Sequence, residues 1–399
     1  MRWGSALVAA AKPLDRIHWM AVLVVACFVS VLILPSQSAA SYPSYVLSLV
    51  MLVYCAQWKD VLETSLFRLI IGLLVWLSLS ALWSEPLVWR EAFSVWTRTV
   101  LVVCFVVAVA ECQLRGHMQR WLVSALASVG VFAVLTAIVV FYVTRPLDGR
   151  LNGLGQLDTH VIAALVYGCV GLFALRLLVL ESRAPLTRVG VVMLLGIITC
   201  AIYLSDSRNA WVSVLIGWLV YLIALVVRDR QQFVATMMTA FVIGGVSFCV
   251  CLNDEVLRDW MLPRGDSFRL LIWNSTLERL FAGSWLFGLG ILTPDGASLG
   301  GSIFTHPHNM YLAVFYQGGA VGLLLYLVLL LRSVQILLKN FTSSDAKLAL
   351  GILALALAAH LLDGHNLIDK VGDTWFLIWL PVAIALAHEW HQPQHRNLV

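Results

Sequence analysis

The sequence predicts an all-α polytopic membrane protein, with about twelve transmembrane helices and one large loop between the ninth and the tenth. Three observations carry that expectation. Of the 399 residues, 61% are hydrophobic and only 12% charged, and the mean hydropathy of +0.89 is far from the balance of a soluble domain. Apolar runs of about 18 residues or more recur from end to end, each long enough to cross a hydrocarbon layer about 30 Å thick. The few charged residues gather in the short breaks between those runs.

Windows of about 19 residues place the spans near 17–34, 43–57, 67–83, 93–110, 121–143, 160–180, 188–204, 209–227, 233–252, 308–331, 347–362 and 374–390. The first is read as a retained helix, because it lacks a small-residue cleavage site and many spans follow it. An even number of spans puts both termini on one side, and the basic N-terminus (Arg2, Lys12, Arg16) assigns that side to the cytoplasm. Lys59, Arg68, Arg115, Arg120, Arg183, Arg188, Arg228, Arg230, Arg332, Lys339 and Lys347 then fall on the same side. The opposite face keeps mostly arginine: Arg90, Arg98, Arg145, Arg150, Arg208, Arg258, Arg264, Arg269 and Arg279. A guanidinium fork grips a phosphate bidentately, which a lysine point charge cannot do.

The chain divides into spans 1–9 (residues 1–252), an outer loop (253–307), and spans 10–12 with the tail (308–399). In the loop, Asp266-Ser267 can cap a helix with Phe268, Leu271, Ile272 and Leu280 at helical spacing, which puts Arg269 and Trp273 on one face. Gly288, Gly290, Gly296, Gly300 and Gly301 follow without periodicity and read as a mobile lid over a site.

Composition also excludes. A formal net charge of +4, with no dense basic block, leaves nucleic acid without an electrostatic footprint. All eight cysteines lie in or beside apolar runs, which argues against a disulfide framework. The absence of two matching halves weighs against an inverted-repeat transporter of lipid-linked glycans.

Thr305-His306-Pro307-His308-Asn309 stands where the loop enters the tenth span. With Pro307 starting the helix, His308 and Asn309 fall in its first turn, where the dipole favours a neutral imidazole able to accept a proton. His306 and His308 alone do not make a metal site, since no third ligand stands at usual spacing, and none is expected. The polar notch Ser205-Asp206-Ser207-Arg208-Asn209-Ala210-Trp211 has no loop length to spare, so Arg208 is held at the membrane border, facing a ligand or paired with Asp206. Arg264, Arg269 and Arg279, with Arg145 and Arg150, could together meet the charge of a lipid-linked diphosphate leaving group. His360, His365, Asp363 and Asp369 flank the last outer loop and rank lower.

With these residues in place the chain resembles the O-antigen ligases, bacterial inner-membrane glycosyltransferases that share a superfamily with the O-antigen polymerases. The resemblance lies in His308-Asn309, nine residues, Gly319, two residues and Gly322; in Ser207-Arg208 followed by Ala210-Trp211; and in Arg269 with Trp273, followed by Gly288 and Gly290. Asn209 departs from a more usual glycine. The resemblance implies a GT-C-like architecture that transfers O-antigen from undecaprenyl diphosphate to the outer-core sugar of lipid A-core, at the periplasmic face, without metal, nucleotide or other cofactor. It assigns His308 as general base and Arg208 and Arg269 to the diphosphate; Arg264, Asn309, Trp273 and Arg150 are the further substrate contacts expected. A polymerase or a protein O-oligosaccharyltransferase using the same donor is the alternative.

Overall fold

The computed structural model describes residues 16–34, 36–54, 58–114, 122–180, 185–253, 268–294, 297–299, 302–304, 306–364 and 366–390. Every window read as a span overlaps a helix. In chain order these are α1 (Arg16–Ile33), α2 (Gln37–Tyr54), the short α3 (Trp58–Leu62), α4 (Ser65–Leu79) continued by a 3₁₀ turn (Ser80–Trp83), α5 (Trp89–Leu114), α6 (Val123–Thr144), α7 (His160–Leu180), α8 (Pro185–Leu204), α9 (Arg208–Val226) and α10 (Arg230–Asn253). The loop that follows contributes α11 (Arg269–Ala282) and a two-stranded antiparallel hairpin, β1 (Ala297–Leu299) with β2 (Ser302–Phe304). Helix α12 (Met310–Lys339), α13 (Ser344–Ala359) and a π turn (Trp375–Trp379) leading into α14 (Leu380–Trp390) complete the chain. Among the described residues, six helices are long and apolar enough to cross a membrane: Ser65–Trp83, Trp89–Leu114, Val123–Thr144, His160–Leu178, Arg208–Val226 and Met310–Lys339.

Local chemistry starts several of these helices. Thr64, Ser207, Asn309 and Ser343 sit in extended backbone just before a helix, and each side chain accepts a hydrogen bond from the first turn. Packing between helices uses small residues. A Cβ on Gly217 of α9 would stand 2.8 Å from the Gly351 carbonyl of α13, so the two backbones meet closely there. The centre is aromatic: Phe28 lies 5.5 Å from Phe105 and 4.4 Å from Phe376, and Phe105 lies 4.4 Å from Trp375.

Loops gather into two sets. At one end, Glu85 N–H bonds Thr293 Oγ1 (2.9 Å), Leu151 N–H bonds the Leu204 carbonyl (2.9 Å), Arg98 pairs with Asp369 (3.4 Å) and Met310 N–H bonds the His360 carbonyl (3.0 Å). At the other, Glu389 takes Arg332 (2.6 Å) and Ser65 (2.7 Å), while buried Asp345 takes both Arg176 and Gln113. These are the two groups of loops that alternate crossings would separate. Of the described cysteines, Cys27, Cys104, Cys112 and Cys169 are buried among apolar neighbours and Cys200 is exposed.

Candidate functional site

The start of α12 carries the histidines. Asn309, in extended backbone, is the N-cap: its side-chain oxygen accepts from Leu312 N–H (2.9 Å) and its amide donates to the Leu361 carbonyl (3.0 Å). The helix therefore begins at Met310, and His308 precedes the cap. This corrects the expectation that Pro307 opens the helix with His308 inside its first turn. His308 instead takes left-handed backbone (φ 50°), a conformation uncommon outside glycine and frequent where side chains are aimed for function. Asn309, expected at the substrate, has both side-chain ends occupied by backbone groups.

Asp363 completes the pair. The bond from Met310 N–H to the His360 carbonyl docks the end of α13 on the start of α12, and the following turn sets Asp363 Oδ1 3.2 Å from His308 Nδ1. Burial alone would raise this carboxyl, but hydrogen bonds from His308 and Gly364 N–H, with the nearby charge of His308 and His306, hold it below the ordinary carboxylate range. An ionised carboxylate can only accept, so in the neutral form of the His308 ring the proton sits on Nδ1 and Nε2 keeps the lone pair. The His306 ring lies 4.0 Å from that of His308. His306, His308 and Asp363 each present one metal-capable atom, and the three lie within 4.8 Å of one another. Asp363, the candidate third donor that local spacing lacked, comes from 55 residues downstream.

Arginine reaches the same end on two elements. Arg269 opens α11 directly after left-handed Phe268 (φ 63°), which is the N-cap and offers no side-chain bond; Asp266 and Ser267, the expected cap, lie outside the described residues. One turn on, Trp273 donates its indole N–H to the Pro307 carbonyl (2.9 Å), so the arginine helix is tied to the residue before His308. Trp273, expected to touch substrate, holds the histidine segment through this bond. Arg269 Nε is buried with no hydrogen-bond acceptor among the described residues, and so are Nε and Nη2 of Arg279, whose guanidinium lies 4.9 Å from the Tyr316 ring centroid. Buried N–H groups of this kind need an acceptor, a role that water or an anion can fill.

Arg208 is the first residue of α9, after left-handed Asp206 (φ 47°) and the cap Ser207. The next side chain, Asn209, donates to the Ala359 carbonyl (3.2 Å) and accepts from Ser213 (3.2 Å), which anchors this helix start beside the turn that carries Asp363. Asp206 pairs with Arg150 (3.5 Å), and Arg150 also bonds His160 Nε2 (3.1 Å). The segments bearing Arg150, Arg208, Arg269 and His308 are thus joined at one end of the bundle. Arg264 lies outside the described residues. His160 was not singled out in the sequence, because a histidine opening an apolar run has no local mark. Asp363 was ranked low for the same reason.

The glycine spacing proves to be backbone geometry. Helix α12 is broken at Gly319 (φ 65°, ψ −166°), and residues 285–290 enter the break. Leu289 and Gly290 donate to the carbonyls of Tyr316 and Gln317 (2.8 and 3.1 Å), while Ala320 N–H bonds the Trp285 carbonyl (2.9 Å). Trp76 and Trp83 of the α4 segment donate to the carbonyls of Gly318 (2.7 Å) and Gly288 (3.3 Å). A Cβ on Gly319 would stand 2.2 Å from the Leu286 carbonyl oxygen, and one on Gly290 2.2 Å from Ser84 Oγ. Gly288 and Gly290, read as part of a mobile loop, are pinned in a docked turn; irregular backbone of this sort is stable at membrane depth only when protein surrounds it.

Residues 170–327 match the family model described as O-antigen ligase, a stretch that contains Arg208, Arg269, Trp273, His308 and both glycines of the paired spacing. The chain is 31% identical over 293 residues to an O-antigen ligase of Pseudomonas aeruginosa, covering 72% of this chain and 68% of that protein. With the capped histidine segment, the arginine helix tied to it and the glycine break all inside the shared region, the chain belongs to the O-antigen ligase family.

Proposed function

We propose that the protein transfers a polysaccharide from undecaprenyl diphosphate to an outer-core sugar hydroxyl of lipid A-core, by inverting glycosyl transfer at the periplasmic face of the bacterial inner membrane. The observation that carries this reading is the His308–Asp363 pair, 3.2 Å apart, beside the helix that begins with Arg269. His308 Nε2 takes the proton of the acceptor hydroxyl as its oxygen bonds the anomeric carbon; the bond from that carbon to the diphosphate breaks, and the electron pair leaves with the phosphate. Arg208 and Arg269 meet the charge that develops there, with Arg150 and Arg264 as further donor contacts. Asn309 and Trp273 act by holding the backbone on either side of His308.

In this reading twelve helices cross the membrane in a GT-C-like arrangement, with both termini in the cytoplasm and residues 253–307 covering a cavity open sideways to lipid. No metal or nucleotide enters the reaction. Purified protein given the lipid-linked polymer and lipid A-core is expected to yield a glycosidic linkage of inverted anomeric configuration by NMR. Retained configuration would contradict the single displacement. Growth of a second lipid-linked chain with lipid A-core untouched would make the protein a polymerase.

A further inference from the structure

The proposed base stands within a group that has the composition of a metal site. His306 and His308 flank Pro307, their rings are 4.0 Å apart, and His308 Nδ1 is 3.2 Å from Asp363 Oδ1. The His308 and Asp363 side chains are 35% and 19% exposed, so an ion can reach them from water. Two imidazoles and a carboxylate form a donor set that zinc accepts at sites with three protein ligands and an open fourth position. Tetrahedral zinc, with bonds of about 2.0–2.2 Å, sets its ligand atoms roughly 3.3–3.6 Å apart. Here the three candidate atoms already lie within 4.8 Å of one another, so a contraction of about an ångström closes the shell.

We propose that His306, His308 and Asp363 form a zinc-binding site whose occupancy switches glycosyl transfer off. The inference rests on the reading of His308 as general base. A neutral imidazole has one nitrogen lone pair. When zinc takes it through either nitrogen, the other nitrogen bears the proton, and the ring can no longer receive one from the acceptor hydroxyl. The ion also draws Asp363 away from the Nδ1 proton that orients the ring. Imidazole ligands favour zinc and its neighbours over magnesium and calcium, so the switch responds to transition metals and not to the abundant hard cations.

The test uses the full chain in detergent, purified without a polyhistidine tag and stripped with EDTA. Zinc chloride is titrated calorimetrically, and transfer from the lipid-linked donor is measured in parallel. The expected result is one zinc per chain, undisturbed by excess magnesium, with affinity at least about tenfold weaker in His306→Ala and in Asp363→Asn. Transfer by the parent falls with the midpoint of binding and returns on adding EDTA. The activity that remains in His306→Ala keeps the same rate at zinc concentrations that halve the parent's. Zinc binding unchanged by either substitution would overturn the site, whether or not transfer is observed. Binding at the three residues with transfer undiminished would overturn the switch and the assignment of His308 as base together. Transfer that EDTA abolishes and zinc restores would replace the switch with a required metal. If the protein transfers nothing, the calorimetric arm still decides the site, and only the functional reading fails.

Discussion

An imidazole that must take a proton needs its lone pair on the nitrogen that faces the substrate, and the Asp363 carboxylate determines which nitrogen that is. Replacing His308 by Ala is expected to lower transfer by roughly 10²–10⁴-fold, the usual worth of a positioned general base, with membrane levels unchanged. Asp363→Asn keeps the shape but can present its amide to the ring, which stabilises the wrong tautomer; about 10²-fold loss or more is expected in single-turnover assays. The direction of the Asp363 shift fixes its pH signature. A carboxyl held below its usual range in the folded state contributes stabilisation that is present above the unfolded value and lost only as pH falls through the lower folded value. Between pH 5.5 and pH 8 the carboxyl therefore stays ionised, and Asp363 itself should add no inflection to the parent's rate profile, measured in EDTA. For Arg269, whose Nε is buried without an acceptor among the described residues, Lys should not substitute: a raised KM for the lipid-linked donor is expected in both Arg269→Ala and Arg269→Lys. His308 and Arg269 were legible in the sequence because each sits in a local pattern. Asp363 was named but ranked low, since its partner lies 55 residues away and only the docking of α13 on α12 joins them.

Elements respond to different rules. Gly319→Ala would force a Cβ against the Leu286 carbonyl oxygen at 2.2 Å from a left-handed position, and should cost about 2–4 kcal/mol or displace the 285–290 turn. Gly322→Ala meets its nearest atoms at 3.5 Å, ordinary contact, and should be tolerated. Thermal unfolding of the two variants in detergent distinguishes them; equal destabilisation would contradict the broken-helix account. At the opposite end, the Arg176–Asp345 pair is 3% and 6% exposed, and removing either partner alone should cost about 3–5 kcal/mol. The joint replacement Arg176→Met with Asp345→Leu should recover much of that, because no uncompensated charge remains. Hydropathy made the helices legible, since every apolar window overlaps one. It left the break in α12 hidden, because Gly318 and Gly319 sit inside a window that is apolar on average and the groups that fill the gap come from a distant turn.

Across the whole molecule, the loops fall into two bonded sets, and the set holding His308 also holds Arg150, Arg208 and Arg269. The proposed function puts the site end in the periplasm, the side that the positive-inside bias of the sequence favours. A cysteine placed at Leu147, fully exposed on the site end, should react with an impermeant maleimide in intact spheroplasts, whereas one at Lys339 should react only after permeabilisation. Labelling in the reverse order would invert the topology and place the site in the cytoplasm. The convergence of segments was an expectation from charge distribution alone; its agents, Trp273 to Pro307, Asn209 to Ala359 and Met310 to His360, are tertiary bonds with no local signal. The most direct measurement is a lipopolysaccharide gel from a ligase-deleted host with matched core sugars, expressing the parent, His308→Ala or Asp363→Asn at equal membrane levels. The account predicts a long-chain ladder from the parent, none from His308→Ala and a faint one from Asp363→Asn. A full ladder from His308→Ala would contradict it.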